Sequence, residues 1–154
     1  MIGAIIGDIV GSIYEFDFIK TKDFPFFQEK CYFTDDTVLT LAIAEALMDG
    51  GTKDDFIRIL KDFTIKYPNR GYGGRYRKWA SSDCKEAYNS YGNGSAMRVS
   101  PIAWWYDTLE QVEAKAKESA IVTHSNPQGI KGAQATAASI FLARTGSTKN
   151  EIKD

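Results

Sequence analysis

An all-α fold is predicted by two features of this chain. Apolar residues recur at helical spacing nearly throughout, and no segment shows the period-two alternation with β-branched enrichment that marks a strand. A third feature, the regular placement of cap residues, divides the sequence into helices. VLTLAIAEALM, residues 38–48, is rich in good helix formers and is stopped by Gly50-Gly51. Thr52 and Asp55 then make a capping-box-like opening for FIRILKDFTIKY, which ends before Pro68.

Residues 69–93 contain Gly71, Gly73, Gly74 and Gly92 among scattered Ser and Asn, which predicts a long loop with a short helical piece around Tyr76–Trp79. Long loops in compact domains usually serve function. AMRVSPIAWWY reads as a helix kinked or restarted at Ser100-Pro101. Thr108 and Gln111 open LEQVEAKAKESAIV, which closes near Thr123-His124. Asn126 as cap and Pro127 in the first turn open QGIKGAQATAASIFLAR, closed by Gly146.

One domain is the expectation for 154 residues without a repeat, a low-complexity tract or a linker. Nineteen basic and twenty acidic residues, with no long block of either sign, lack the electrostatic footprint of a nucleic-acid binder, so an anionic ligand needs a local site. No stretch is long enough to span a membrane, and Asp8 interrupts an apolar start that lacks the basic region of a signal peptide. Cys31 and Cys84, far apart, argue against a disulfide framework; both are expected to be small buried hydrophobes, and the chain to be cytoplasmic.

Four features carry candidate chemistry. Gly3, Gly7 and Gly11 recur every fourth residue, with Glu15 next on that ridge if the helix continues. Glycine costs roughly 1 kcal/mol against alanine in a helix, so either a tightly packed core helix or a functional reason is implied. Thr34-Asp35-Asp36-Thr37 stands immediately before the helix over 38–48. Capping explains one oxygen; three hard oxygen ligands also form a partial shell for Mg²⁺ or Mn²⁺, and both readings are open. Glycines flanking Asn93 suit a tight loop leading into a helix, where backbone N–H groups hold phosphate, or an ordinary turn. His124, the single histidine, has no second metal ligand beside it. It fits either a contact to the helix C-terminus or a ligand contact.

Taken together, five segments resemble the ADP-ribosylglycohydrolase family in the family's order: Gly7-Asp8-Ile9-Val10-Gly11-Ser12-Ile13-Tyr14-Glu15, Thr34-Asp35-Asp36-Thr37, Arg70-Gly71-Tyr72-Gly73-Gly74, Tyr91-Gly92-Asn93-Gly94-Ser95-Ala96-Met97-Arg98 and Thr123-His124-Ser125-Asn126-Pro127. The resemblance implies a compact helical domain with a two-metal site, Mg²⁺ or Mn²⁺, at the base of a cleft for ADP-ribose, and hydrolysis of the glycosidic bond that joins ADP-ribose to a protein or another group. By resemblance, Thr34, Asp35 and Asp36 match metal ligands, and Asp35 and Asp36 share the catalytic assignment with Glu15, which matches an acidic residue at the cleft mouth. Ser90, Tyr91, Gly92, Asn93 and Gly94 match the loop around the diphosphate and distal ribose, and His124 matches a residue lining the cleft.

The departure lies at the far end. The family's late Asp-x-Asp-type motif, which completes both metal sites, has no counterpart here: Asp49, Asp54, Asp55, Asp62, Asp83 and Asp107 lie in unrelated contexts, and Asp154 is the last residue. Thr148 and Glu151 form a capping-box pattern after which only three residues follow, a frayed terminus or a severed helix. The expectation is therefore an incomplete hydrolase domain lacking its C-terminal helices, weakly active or inactive alone, with a C-terminal fragment or a second copy of the chain as partner. The alternative is a non-catalytic ADP-ribose-binding or structural member of the family.

Overall fold

The computed structural model describes residues 1–153, and among them every regular element is helical. In chain order these are α1 (Ile2–Gly11), a 3-10 turn (Ser12–Tyr14), α2 (Asp35–Met48), α3 (Lys53–Lys66), α4 (Gly74–Ala80), α5 (Gly94–Met97), α6 (Ile102–Trp105), α7 (Leu109–Ile121) and α8 (Pro127–Arg144). The all-α expectation is borne out.

Local side-chain chemistry sets most of these boundaries. Thr34 caps α2 by accepting from the Asp36 N–H (3.3 Å), and Thr52 with Asp55 forms a full capping box at α3. Thr108 accepts from the Gln111 N–H and Asn126 from the Gln128 N–H, with Pro127 in the first turn of α8. The sequence 94–105 divides into α5 and α6, with α6 restarting behind Pro101. Thr148 and Glu151 do make reciprocal capping contacts, followed only by turn; Asp154 lies outside the described residues.

The core is built from α2, α3, α7 and α8, with α7 and α8 packed most extensively and α2 against α3. Leu39, Ile43, Phe56, Leu60, Val112 and Ala133 are almost wholly enclosed, and burying side chains of this kind contributes roughly 1.5–3 kcal/mol each for the larger ones. This core holds the N-terminus of α2, the N-terminus of α5 and the C-terminus of α7 at one end of the bundle, where the cleft lies.

Three expectations need correction. The first helix stops at Gly11 and tightens into the 3-10 turn, so Glu15 leaves the glycine ridge. That helix is not a tightly packed core element: Val10 is its one buried residue, and no atom lies within 4 Å of a Cβ built on Gly3, Gly7 or Gly11. Cys84 is exposed and Cys31 only partly covered; both are free thiols.

Candidate active-site cleft

A cleft of about 290 Å³ opens between the start of α2, the start of α4, the 88–94 loop and the end of α7. Asp35, Gly73, Arg75, Tyr88, Arg98 and His124 line it, together with Ser90, Gly92, Asn93 and Gly94. Residues far apart in the chain, whose spacing alone leaves their relation open, thus line one cleft. Tyr91 is not on it; its side chain is 71% exposed.

Asp35 enters the cleft because two backbone features aim it there. Its N–H donates to the Arg70 carbonyl (2.7 Å), which ties the 70–74 segment to the first turn of α2. Gly71 follows with φ +97°, and a Cβ at that position would stand 3.2 Å from Asp35 Oδ1, so the close approach and the left-handed turn both require glycine. Partial burial, then the neighbouring Asp36 carboxylate, push the Asp35 carboxyl up to about 6, and Glu15 and Asp8 add to the shift. Asp36 is also raised, first by burial and then by Asp8 and Glu15. Glu15 itself is exposed, outside the cleft lining but close enough to act on both aspartates.

Asp8 is the residue that the sequence reading passed over. Its carboxylate accepts from the Thr34 N–H (2.8 Å), the Thr34 hydroxyl (2.5 Å), the Thr37 N–H (3.2 Å) and the Thr37 hydroxyl (2.5 Å). It therefore bolts α1 to the N-terminus of α2, where a negative charge also meets the positive end of the helix dipole. A lone carboxylate inside the apolar run IGAIIGDIVG was the available signal.

Four carboxylates, Asp8, Glu15, Asp35 and Asp36, act on one another here, and among the described residues no lysine or arginine forms an ion pair with any of them. Hard, uncompensated oxygen donors are chemically suited to a divalent cation of the Mg²⁺ or Mn²⁺ kind. Among the described residues, however, no three His, Cys, Asp or Glu side chains converge in a ligand set.

The opposite wall is built on a chain of hydrogen bonds. Arg98, buried in the floor, donates to the Ser119 carbonyl (3.2 Å) and to Thr123 Oγ1 (2.9 Å); among the described residues its Nε has no partner and no carboxylate pairs with it. Thr123 Oγ1 is 2.8 Å from His124 Nδ1, and His124 Nε2 is 3.2 Å from the Gly92 carbonyl. A carbonyl can only accept, so Nε2 carries the proton and Nδ1 accepts from the threonine hydroxyl. His124 thereby pins the 90–94 loop from beneath. Burial, then the Arg98 charge, hold its pKa down to about 4, so it is neutral at pH 7 and carries no charge for a helix-dipole contact.

Because the unfolded histidine protonates near its ordinary pKa of 6.5, the stability from His124 is complete above that value. It is lost as pH falls towards 4, by about 3 kcal/mol. Asp35 has the reverse sign: its raised pKa adds stability below 3.8 that disappears as pH rises through about 6. Urea unfolding between pH 7.5 and 4.5 is expected to show a smaller acid-side loss in His124→Asn than in the parent chain.

Gly129, in the first turns of α8, leaves room for this wall. A Cβ there would sit 2.7 Å from His124 Cδ2 and 3.0 Å from the Ser90 carbonyl oxygen. The expected outcome of Gly129→Ala is a loss of about 2–3 kcal/mol despite better helix propensity, because the clash is with a packed ring and with backbone. A denaturation midpoint equal to or above that of the parent would contradict it.

The chain is 30% identical over 182 residues to ADP-ribosylhydrolase ARH3 of Mus musculus, an alignment covering 97% of this chain and 49% of that protein. ADP-ribosylhydrolase ARH3 of Gallus gallus is likewise 30% identical, over 97% of this chain and 50% of its own length. The Xenopus tropicalis protein of the same name is 27% identical, with 98% and 51% covered. The chain thus spans about half the length of the curated relatives it matches. With the sequence pattern of ADP-ribosylglycohydrolases matched from residue 1 to residue 154, the chain belongs to the ADP-ribosylglycohydrolase family.

Proposed function

We propose that this chain forms the substrate-binding half of a metal-dependent hydrolase that removes ADP-ribose from modified proteins or related ADP-ribose derivatives. The observation that carries the reading is the pairing within one cleft: Asp35, from an acidic cluster lacking a cationic partner, faces the glycine-flanked 90–94 loop above the unneutralised Arg98. Names of the relatives, all ADP-ribosylhydrolases, and the family match support the same substrate class.

The chemistry needed is cleavage of the bond between the ribose anomeric carbon and the leaving group, with water supplying the hydroxyl and the departing group taking a proton. The anomeric carbon becomes positively charged as that bond lengthens, and the negative charge of Asp35 and Asp36, with Glu15 near the mouth, opposes the build-up. Thr34, Asp35 and Asp36 would hold Mg²⁺ or Mn²⁺; the bound ion would supply Lewis acidity and lower the pKa of water. The loop residues Ser90, Gly92, Asn93 and Gly94 receive the diphosphate and distal ribose, and His124 keeps that loop in place. The Arg98 charge favours an anionic ligand over a neutral nucleoside.

The test is release of ADP-ribose from an ADP-ribosylated protein by the assembled domain. The expected results are activity with Mg²⁺ or Mn²⁺, abolition by chelator, and a loss of about a hundredfold or more in Asp35→Ala and Asp36→Ala. Undiminished turnover in both variants would reject the assignment. ADP-ribose affinity indifferent to chelator, without turnover, would instead favour a binding role.

A further inference from the structure

Arg75 differs from every other arginine of the chain. There are six, and the fold engages five of them. Arg58 pairs with Asp49 and Asp55, Arg70 lies over the Phe33 ring, and Arg77 donates to the Tyr72 carbonyl. Arg98 donates to Ser119 and Thr123, and Arg144 to the Tyr106 carbonyl. Arg75, the second residue of α4, is exposed, and among the described residues it has no ion pair, side-chain hydrogen bond or aromatic partner. The packing of the chain gives it no task, yet it lines the cleft. A guanidinium is a planar fork of N–H donors whose spacing matches two oxygens of a phosphate.

The cleft also has two electrical ends. The charges that act on Asp35 are those of Asp36, Glu15 and Asp8, all negative. Burial raises the pKa of Tyr88, another lining residue, and the charges that oppose the rise are those of Arg98 and Arg75. Tyr88 therefore marks a cationic end, with Arg98 buried in the floor and Arg75 free on the α4 side. Space is left there as well: a Cβ on Gly73 or Gly74, the two residues before Arg75, would meet nothing within 4 Å.

We propose that Arg75 is a specificity-determining residue, a cationic arm that grips the phosphates of a diphosphate ligand from the α4 side of the cleft, above Arg98. The ligand's charge is thereby drawn to the Tyr88 end, and Asp35 is left for the ribose. This deepens the hydrolase reading, which gives the α4 side no role; it rests on that reading for the nucleoside but not for the anion.

The test is calorimetric binding of inorganic pyrophosphate, ADP-ribose and adenosine to the 154-residue chain, in buffer with chelator so that no divalent ion bridges ligand and protein. Arg75→Gln, at an exposed position, is expected to keep the parent's melting temperature, to weaken pyrophosphate and ADP-ribose by about tenfold each, and to leave adenosine unchanged. Arg75→Lys should recover part of the loss, since it keeps the charge without the fork. Added salt should weaken the parent more than the glutamine variant. Unaltered affinity for both anions, an equal loss for adenosine, or a parent chain that binds neither anion would overturn the proposal. Pyrophosphate separates this inference from the hydrolase reading. Arg75-dependent pyrophosphate binding without binding or release of ADP-ribose would leave the inference standing and sink that reading. ADP-ribose release that needs Asp35 but is indifferent to Arg75→Gln would do the reverse.

Discussion

Replacing Asp8 by alanine is expected to destabilise the chain by about 3 kcal/mol or more, the largest single effect among charged residues outside the core. Four donors converge on this one carboxylate, from two threonines that are both buried. The hydroxyls can turn to new acceptors; the two N–H groups, at the open end of α2, cannot. Each unsatisfied buried group costs roughly 1–3 kcal/mol, and the favourable charge at the helix terminus is lost as well. Asp8→Asn should fall between the two, since the amide keeps one acceptor oxygen but turns an NH₂ towards donors. Urea denaturation with an unchanged m-value measures this directly. A loss below 1 kcal/mol in the alanine variant would mean that α1 is not bolted to α2 through Asp8.

The Asp35→Asn substitution should act in the opposite direction on the metal-free protein. Asp35 is ionised at pH 7 only against burial and three like-charged neighbours, so removing its charge is expected to raise stability by about 1–2 kcal/mol at that pH. If the proposed metal role holds, millimolar Mg²⁺ or Mn²⁺ should raise the melting temperature of the parent chain and the same change should remove most of that rise, because a cation stabilises only the form that holds it. Thermal melts of both proteins with cation and with chelator make the comparison. A variant less stable than the parent without metal, or stabilised by cation to the same extent, would show that the repulsion has another outlet.

These opposed expectations also mark how much was legible in the sequence. Caps are local, and Thr34, Thr52, Thr108 and Asn126 each stand within three residues of the N–H they satisfy, so helix starts could be read from spacing. The Asp8 brace joins residues 26 and 29 positions apart, and no period or cap announces a contact of that range. His124 illustrates the same limit: its place at the end of α7 was clear, but its neutrality depends on burial and on Arg98, both products of packing. The glycine ridge suggested a helix in close contact, whereas the space over Gly3, Gly7 and Gly11 is open. For the cleft, the order of the five matching segments located Asp35, the 90–94 loop and His124; it did not foretell that Tyr91 turns outward.

The turn at Gly71 has a stereochemical consequence. With φ at +97°, the backbone there has the handedness that D-amino acids prefer, and the crowded position beside Asp35 is the one an L-methyl would fill. A D-alanine placed at this point by chemical ligation would carry its methyl on the other side of the α-carbon, away from the carboxylate, and would stiffen the turn. Mirror-image substitution at one residue thus distinguishes two demands that glycine meets at once: the shape of the backbone and the clearance for an acidic oxygen.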